Sequence, residues 1–288
     1  MNPREKLEAV ATQFSSKLSD VAMPKVAIVL GSGLNALADE VDAHLKIPYE
    51  DLAGFPVSSA PGHVGRFIIG TLGGVPVAIM QGRVHYYEGY GIDEVVLPMR
   101  LLYHLGVDTF ILTNACGGIQ DGMQPGDLML ITDHITSFIT SPLRGPNVDE
   151  WGVRFPDMTQ VYDPQLQAVV RRAAKTVGID LKEGVYLQVP GPAFETPAEV
   201  RAYKILGADV TGMSTAAEAM AVIHMGGRVA GISCVTNLAA GLSDGPLTSE
   251  EVNEMGEQVS EKFGALLAEV LRTIPANEPY RVPEMDAG

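Results

Sequence analysis

The chain has 288 residues, 46% of them hydrophobic and 19% charged, which is enough apolar mass for a large core and too much for a disordered protein. Twenty Lys and Arg against 35 Asp and Glu leave a net charge of −15, which argues against nucleic acid and anionic membrane as partners, since phosphate surfaces are met by basic patches. Two cysteines, Cys116 and Cys234, supply neither a disulfide framework nor a zinc ribbon and fit a reducing compartment. The charged start MNPREKLEAV lacks a signal-peptide core, and no apolar run approaches the roughly 18 residues of a membrane span, so a cytoplasmic location is expected.

Residues 4–20 place Leu7, Val10, Ala11, Phe14 and Leu18 at helical spacing and predict an amphipathic entry helix. β-branched runs follow at 25–30, 66–72, 75–80, 109–114 and 127–132, then at 184–189, 208–213 and 229–236. Several are continuously apolar, as strands covered on both faces are. Helical patterns fall between them at 92–105, 165–177, 197–206, 216–225 and 250–272. The alternation predicts one α/β domain over residues 1–276, with a central β-sheet flanked by helices. Gly73-Gly74 between two strands predicts a hairpin, hence a mixed sheet. Residues 141–158 read as a long insert without regular structure, and 277–288 as a flexible tail. No internal repeat or dividing linker is visible.

The polar residues cluster just after strands: Gly31-Ser32-Gly33, Asn114 to Gly118, Gly191 to Glu195, Met213-Ser214 and Thr236-Asn237. Ligands of open α/β sheets bind beyond the carboxyl ends of strands. Any one of these segments reads better as a turn or helix cap; five together point to one binding crevice. Thr196-Pro197-Ala198-Glu199 and Thr215-Ala216-Ala217-Glu218 both have the capping-box pattern, which accounts for Thr196, Glu199, Thr215 and Glu218 without assigning them chemistry. Ser214 then stands at the positive end of a helix, where an anion can be received.

In Gln81-Gly82-Arg83-Val84-His85, Arg83 and His85 are two residues apart and project to one side of an extended backbone. A guanidinium beside an imidazole suits a phosphate or carboxylate, although an Arg paired to a surface carboxylate explains the pattern equally well. The six histidines form no metal-ligand spacing, so no metal site is expected. No nucleophile elbow or P-loop is present. Gly31-Ser32-Gly33-Leu34-Asn35-Ala36 fits the dinucleotide fingerprint, with Asp51 about 20 residues on. Residues 37–52 show no strong second strand ending at Asp51, however, which weakens that reading.

The motifs GSGL (31–34), GHVGR (62–66), QGRVHYYEGY (81–90) and TNACGG (113–118) resemble those of the low-molecular-mass, trimeric purine nucleoside phosphorylases. So do PLRGPN (142–147), RFPDM (154–158), GPAFET (191–196), GMST (212–215) and VTNLAAGLSD (235–244), in the same order along almost the whole chain. The resemblance implies the nucleoside phosphorylase fold. It also implies phosphorolysis of a purine nucleoside to free purine and α-ribose-1-phosphate, with inversion at C1′, phosphate as co-substrate and no cofactor.

By the same resemblance Ser32, Arg83, His85, Ser214 and the Ala115 backbone N–H hold phosphate, and His63 closes over it. Tyr87 and Met213 meet the ribose, Phe194 packs on the purine, and Glu195 and Asn237 contact its edge with Thr236 as support. Glu195 accepting from N1–H and Asn237 donating to O6 or N7 match a 6-oxopurine, so inosine, guanosine and their 2′-deoxy forms are the expected substrates. His85, Glu195 and Asn237 are the expected catalytic residues. Phe155 is expected in the sugar pocket of a neighbouring subunit of a homotrimer.

One departure stands out: Ser249 occupies the place where the family commonly carries a histidine that reaches the 5′-hydroxyl. This leaves room for 5′-modified nucleosides such as methylthioadenosine or methylthioinosine; xanthosine is a further alternative on the base side. Methylthioadenosine phosphorylases carry Asp where this chain has Asn237, which favours the 6-oxopurine reading. The rival classes are a non-catalytic nucleoside-binding protein and a dinucleotide-dependent oxidoreductase.

Overall fold

The computed structural model describes residues 2–60, 62–243 and 245–274; the expected tail at 277–288 and the end of the expected domain lie outside the described residues. Among the described residues nine strands form one mixed sheet in the order β2-β3-β4-β1-β5-β8-β7-β6-β9. They are β1 (Val26–Leu30), β2 (Asp42–Pro48), β3 (Arg66–Leu72), β4 (Val75–Gln81), β5 (Thr109–Gly118), β6 (Leu128–Ile135), β7 (Leu181–Gln188), β8 (Val210–Gly212) and β9 (Arg228–Leu238). Because β5 also pairs in parallel with β9, strands β5-β8-β7-β6-β9 close on themselves while β2, β3, β4 and β1 extend from that ring as an open wing. β5 and β9 are the long strands, 10 and 11 residues, and their C-terminal halves carry polar residues.

Side-chain alternation explains the layering. Along β1, Ala27 and Val29 enter one core while Val26, Ile28 and Leu30 enter the other. Helices α1 (Pro3–Leu18), α3 (Leu97–His104) and α6 (Ala216–His224) cover the first face, through Phe14, Met99 and Val222 among others. Helices α4 (Pro164–Thr176) and α7 (Ser249–Thr273) cover the second, through Val170, Phe263 and Leu267. α5 (Pro197–Ile205) buries Val200 and Tyr203 in a smaller cluster. The predicted helix at 92–105 is broken into α2 (Ile92–Val95) and α3, with Pro98 near the start of the second piece.

Two readings from the sequence are corrected, and the doubt about the dinucleotide fingerprint is upheld. Residues 42–48 do form a strand, with alternating half-exposed side chains, but it is an antiparallel edge beside β3 and stops before Asp51. The segment after Gly31-Ser32-Gly33 is a 3-10 turn (Asn35–Glu40), and Gly33 sits at φ +76 where a Cβ would lie 2.6 Å from Gly256 Cα of α7. That glycine serves close packing of a turn against a helix, so the dinucleotide fingerprint fails on both counts. Asn114 to Gly118 and Thr236-Asn237 lie inside the extended β5 and β9, not beyond their ends. The Gly73-Gly74 hairpin is as predicted, both glycines having positive φ. No described helix is long and apolar enough to cross a membrane.

Candidate active site

A cavity of about 540 Å3 opens where β1, β4, β5, β7, β8 and β9 release their C-terminal residues, with the start of α7 as its outer rim. This size suits a small organic ligand. Its wall carries Ser32, Arg83, His85, Tyr87, Ala115, Phe194, Glu195, Met213, Ser214, Thr236, Asn237 and Ser249. All five polar segments singled out from the sequence meet there.

The inner end is built around Arg83, which is 1% exposed. Its Nε donates to Glu218 Oε1 at 3.0 Å and Nη1 to the Thr113 carbonyl at 2.6 Å, while Nη2 has no partner among the described residues. A buried guanidinium with an unmet donor on a cavity wall can receive an anion, because leaving that donor dry costs about 1–3 kcal/mol or more. Glu218 thus corrects the capping-box reading: it is 2% exposed and is the internal counter-charge of Arg83. Thr215 does not cap α6 either. It lies at φ +79, ψ −57, with the Ala216 N–H bonded to the Ser214 carbonyl at 2.9 Å, a γ-turn rarely adopted by a β-branched residue. Its hydroxyl accepts from Asn114 Nδ2 and faces Ser214 Oγ, and Gln188 Oε1 takes the Ala217 N–H of the helix start. Such strain, about 1–3 kcal/mol, is characteristic of functional turns.

His63 is not on the wall. Its Nδ1 accepts the Arg83 backbone N–H at 2.8 Å, so the proton sits on Nε2, which donates to Ser32 Oγ at 3.0 Å. Burial, with His85 and Arg83 nearby, pushes the His63 pKa down to about 3, so it is neutral throughout the ordinary working range. It braces two wall groups from behind. His85 is held by Glu88, whose carboxylate accepts from the His85 backbone N–H at 2.7 Å and from Nδ1 at 3.0 Å. Burial opposes ionisation of Glu88, but bonds from His85 and Ser59 outweigh it and bring the pKa to about 2. His85 Nε2 is therefore directed away from Glu88. Tyr87 stacks on His85 at 4.7 Å, and burial together with Glu88 raises its phenol to about 12.

The outer end is more open. Glu195 Oε1 accepts from Thr211 Oγ1 at 2.7 Å, leaving Oε2 for a ligand. Asn237 Oδ1 accepts from Thr236 Oγ1 and Nδ2 donates to the Leu238 carbonyl, both at 3.0 Å. Flipping the amide would set two carbonyl oxygens against each other, so the NH2 group is fixed with its second hydrogen available. Phe194 is 38% exposed. Ser249 opens α7 on the rim, its hydroxyl bonded to Glu250. Phe155 is 86% exposed and does not line this cavity.

Thr211, Glu218 and Asn253 belong to the site or its support and were not anticipated there, whereas Asn114 lies in a segment already singled out. Only Glu218 carried a signal, a lone carboxylate in the apolar helix AAEAMAVI. Cys116 is 3% exposed yet also borders the cavity, and burial raises its thiol pKa. Among the described residues no group of three or more His, Cys, Asp or Glu side chains could hold a metal ion.

Comparison with known proteins places this geometry. Residues 25–272 match the Phosphorylase superfamily. Purine nucleoside phosphorylase 1 of Geobacillus stearothermophilus is 46% identical over 88% of this chain and 93% of its own length. The bovine purine nucleoside phosphorylase is 41% identical over 88% of this chain and 90% of its own. The crystal structure of Schistosoma mansoni purine nucleoside phosphorylase in complex with inosine superposes with a TM-score of 0.88 at 36% identity, covering 94% of this chain and 97% of that one. The same enzyme has also been solved in complex with adenosine, with a TM-score of 0.88. The chain belongs to the purine nucleoside phosphorylase family, and it is an enzyme of pentosyl transfer.

Proposed function

We propose that the enzyme binds phosphate at the Arg83 end of the cavity and a 6-oxopurine nucleoside at the Glu195–Asn237 end, and moves the pentosyl group from purine nitrogen to phosphate with inversion at C1′. The observation that carries this is the unmet Nη2 donor of a fully buried Arg83 on the same wall as a fixed carboxylate and a fixed amide. Departure of the purine builds positive charge on the sugar and negative charge on the base. Phosphate under C1′, held by Ser32, Arg83, His85, Ser214 and the Ala115 N–H, stabilises the first and captures it. The Asn237 amide answers the charge at O6 or N7, and Glu195 Oε2 accepts from N1–H. Tyr87 and Met213 border the sugar, Phe194 covers the base, and Ser249 faces the 5′ end.

No organic cofactor or metal enters this scheme; phosphate is a co-substrate. The exposed Phe155 ring is a surface aromatic that calls for a cover, and we assign it to the sugar pocket of the next subunit in a homotrimer. A cytoplasmic location fits the two buried, free cysteines. Hypoxanthine release from inosine that requires phosphate tests the reading; binding of inosine without phosphate-dependent release would support a nucleoside-binding protein instead. Guanosine, xanthosine, adenosine and methylthioinosine in the same assay locate the substrate preference.

A further inference from the structure

The segment that displays Phe155 is held far more firmly than a surface loop requires. Trp151 lies on the Arg100 guanidinium at 4.3 Å and packs on the main core, as does Met158 at the other end. Arg100 is 5% exposed, has no carboxylate partner among the described residues, and burial brings its pKa down to about 10. From α6, the 7% exposed His224 donates from Nε2 to the Val153 carbonyl at 3.1 Å. Gly152, at φ +144, lies so close to the His224 carbonyl that any Cβ there would collide with it. Asn147 donates to the Gly152 carbonyl at 2.9 Å, and Arg154 to the Leu143 carbonyl at 2.8 Å. Between these clamps Val153 and Phe155 stand 66% and 86% exposed.

Keeping a charged guanidinium dry without a counter-ion is costly. The Trp151 face offsets part of that cost, while Arg100 Nη1 finds no partner among the described residues. A chain that merely needed to cross the surface would have no use for this arrangement, whereas one that must hold an aromatic ring at a fixed place outside its own subunit would. We propose that Arg100 and His224 are positioning residues: through Trp151 and the Val153 carbonyl they fix the loop so that Phe155 enters the neighbouring sugar pocket in a defined pose. The inference rests on the reading that Phe155 serves that pocket. It adds that nucleoside affinity in one subunit is set by side chains of another that touch no substrate. Misplacing a contact group by about 1 Å can cost orders of magnitude in rate.

The test is a double-mutant cycle on the intact oligomer. Phe155→Ala and Arg100→Met should each raise the nucleoside KM by about tenfold and leave the phosphate KM within about twofold. The pair combined should be no worse than Phe155→Ala alone. Emission of Trp151, the sole tryptophan, should shift in Arg100→Met as the ring loses its cation. Should Arg100→Met fail to fold, His224 supplies the second arm: His224→Gln, which keeps a donor for Val153, should behave as wild type, and His224→Leu as Phe155→Ala. A loss in Phe155→Ala with none in the Arg100 and His224→Leu variants, or losses that add in full, would overturn the positioning role and leave Phe155 in place. An unchanged nucleoside KM in Phe155→Ala would overturn the Phe155 reading itself, and the positioning role with it.

Discussion

The two ends of the cavity are built on different physical plans. At the inner end every wall group is already bonded from behind: Arg83 to Glu218 and Thr113, Ser32 to His63, His85 to Glu88. The outer end is also braced, Glu195 by Thr211 and Asn237 by Thr236 and the Leu238 carbonyl, but it is more exposed. Glu195 keeps one oxygen free, Asn237 one hydrogen, Phe194 is 38% exposed, and the rim at 247–253 belongs to the start of a helix. The difference follows from what each end receives. A small, strongly hydrated anion repays its desolvation only if donors are pre-oriented. A nucleoside brings its own apolar area and several polar edges, so it can complete a looser wall.

The contrast can be broken at Glu218. If the inner end is a prewired charge pair, Glu218→Ala leaves Arg83 buried and uncompensated and should cost about 3–5 kcal/mol of stability. Added phosphate should then raise the Tm of this variant more than that of the wild type, since the anion supplies the missing counter-charge. Thermal scans with and without phosphate check both points; equal phosphate shifts would mean Arg83 does not meet the anion. Next in size, Arg83→Met should lower kcat/KM for phosphate by about 10^2–10^3-fold, with nucleoside affinity changed by less than about threefold. Equal losses for both substrates would erase the division between the two ends.

At the outer end, Asn237→Asp replaces the fixed donor with an oxygen facing the Leu238 carbonyl. Inosine turnover should fall by about 10^2-fold, and the adenosine-to-inosine ratio should rise. A panel of kcat/KM values for the two nucleosides decides it, and an unchanged ratio would remove Asn237 from base recognition.

The sequence disclosed the outer end better than the inner. Glu195, Met213 and Asn237 follow or end apolar strands, so period and motif alone bring them to one rim. Glu218 was hidden because its spacing from Thr215 satisfies a helix-capping rule that the γ-turn at Thr215 then overrides. A local pattern was outvoted by a pairing across 135 residues. His63 was legible as part of the phosphate end but not in its role, since its bracing bonds depend on how the 62–66 loop folds against Gly82-Arg83. The wing strand β2 escaped notice because an edge strand with half-exposed residues and a charged sequence carries little β signal. The closure of β5 through β9 into a ring was equally out of reach: strand order is a long-range property that runs of apolar residues do not encode.

The smallest expected effect lies at the rim, where the two plans meet. Ser249 is exposed, is the first residue of α7, and its hydroxyl is already turned to Glu250 at 3.3 Å. A serine so placed reaches a nucleoside 5′-hydroxyl through water at best, and a bridged contact is a weak discriminator between substrates that carry the hydroxyl and those that lack it. Inosine and 5′-deoxyinosine should therefore differ in kcat/KM by less than about tenfold in the native enzyme. Ser249→His puts an imidazole, longer and able to donate, at the same rim position, and should widen that gap by about three- to tenfold while phosphate kinetics stay as they were. Steady-state kinetics on the two nucleosides would read this directly. A native enzyme that already rejects 5′-deoxyinosine strongly would mean that the 5′ group is gripped elsewhere on the rim, with Asn253 the nearest candidate on the same helix face, and that the outer end is more tightly built than its open geometry suggests.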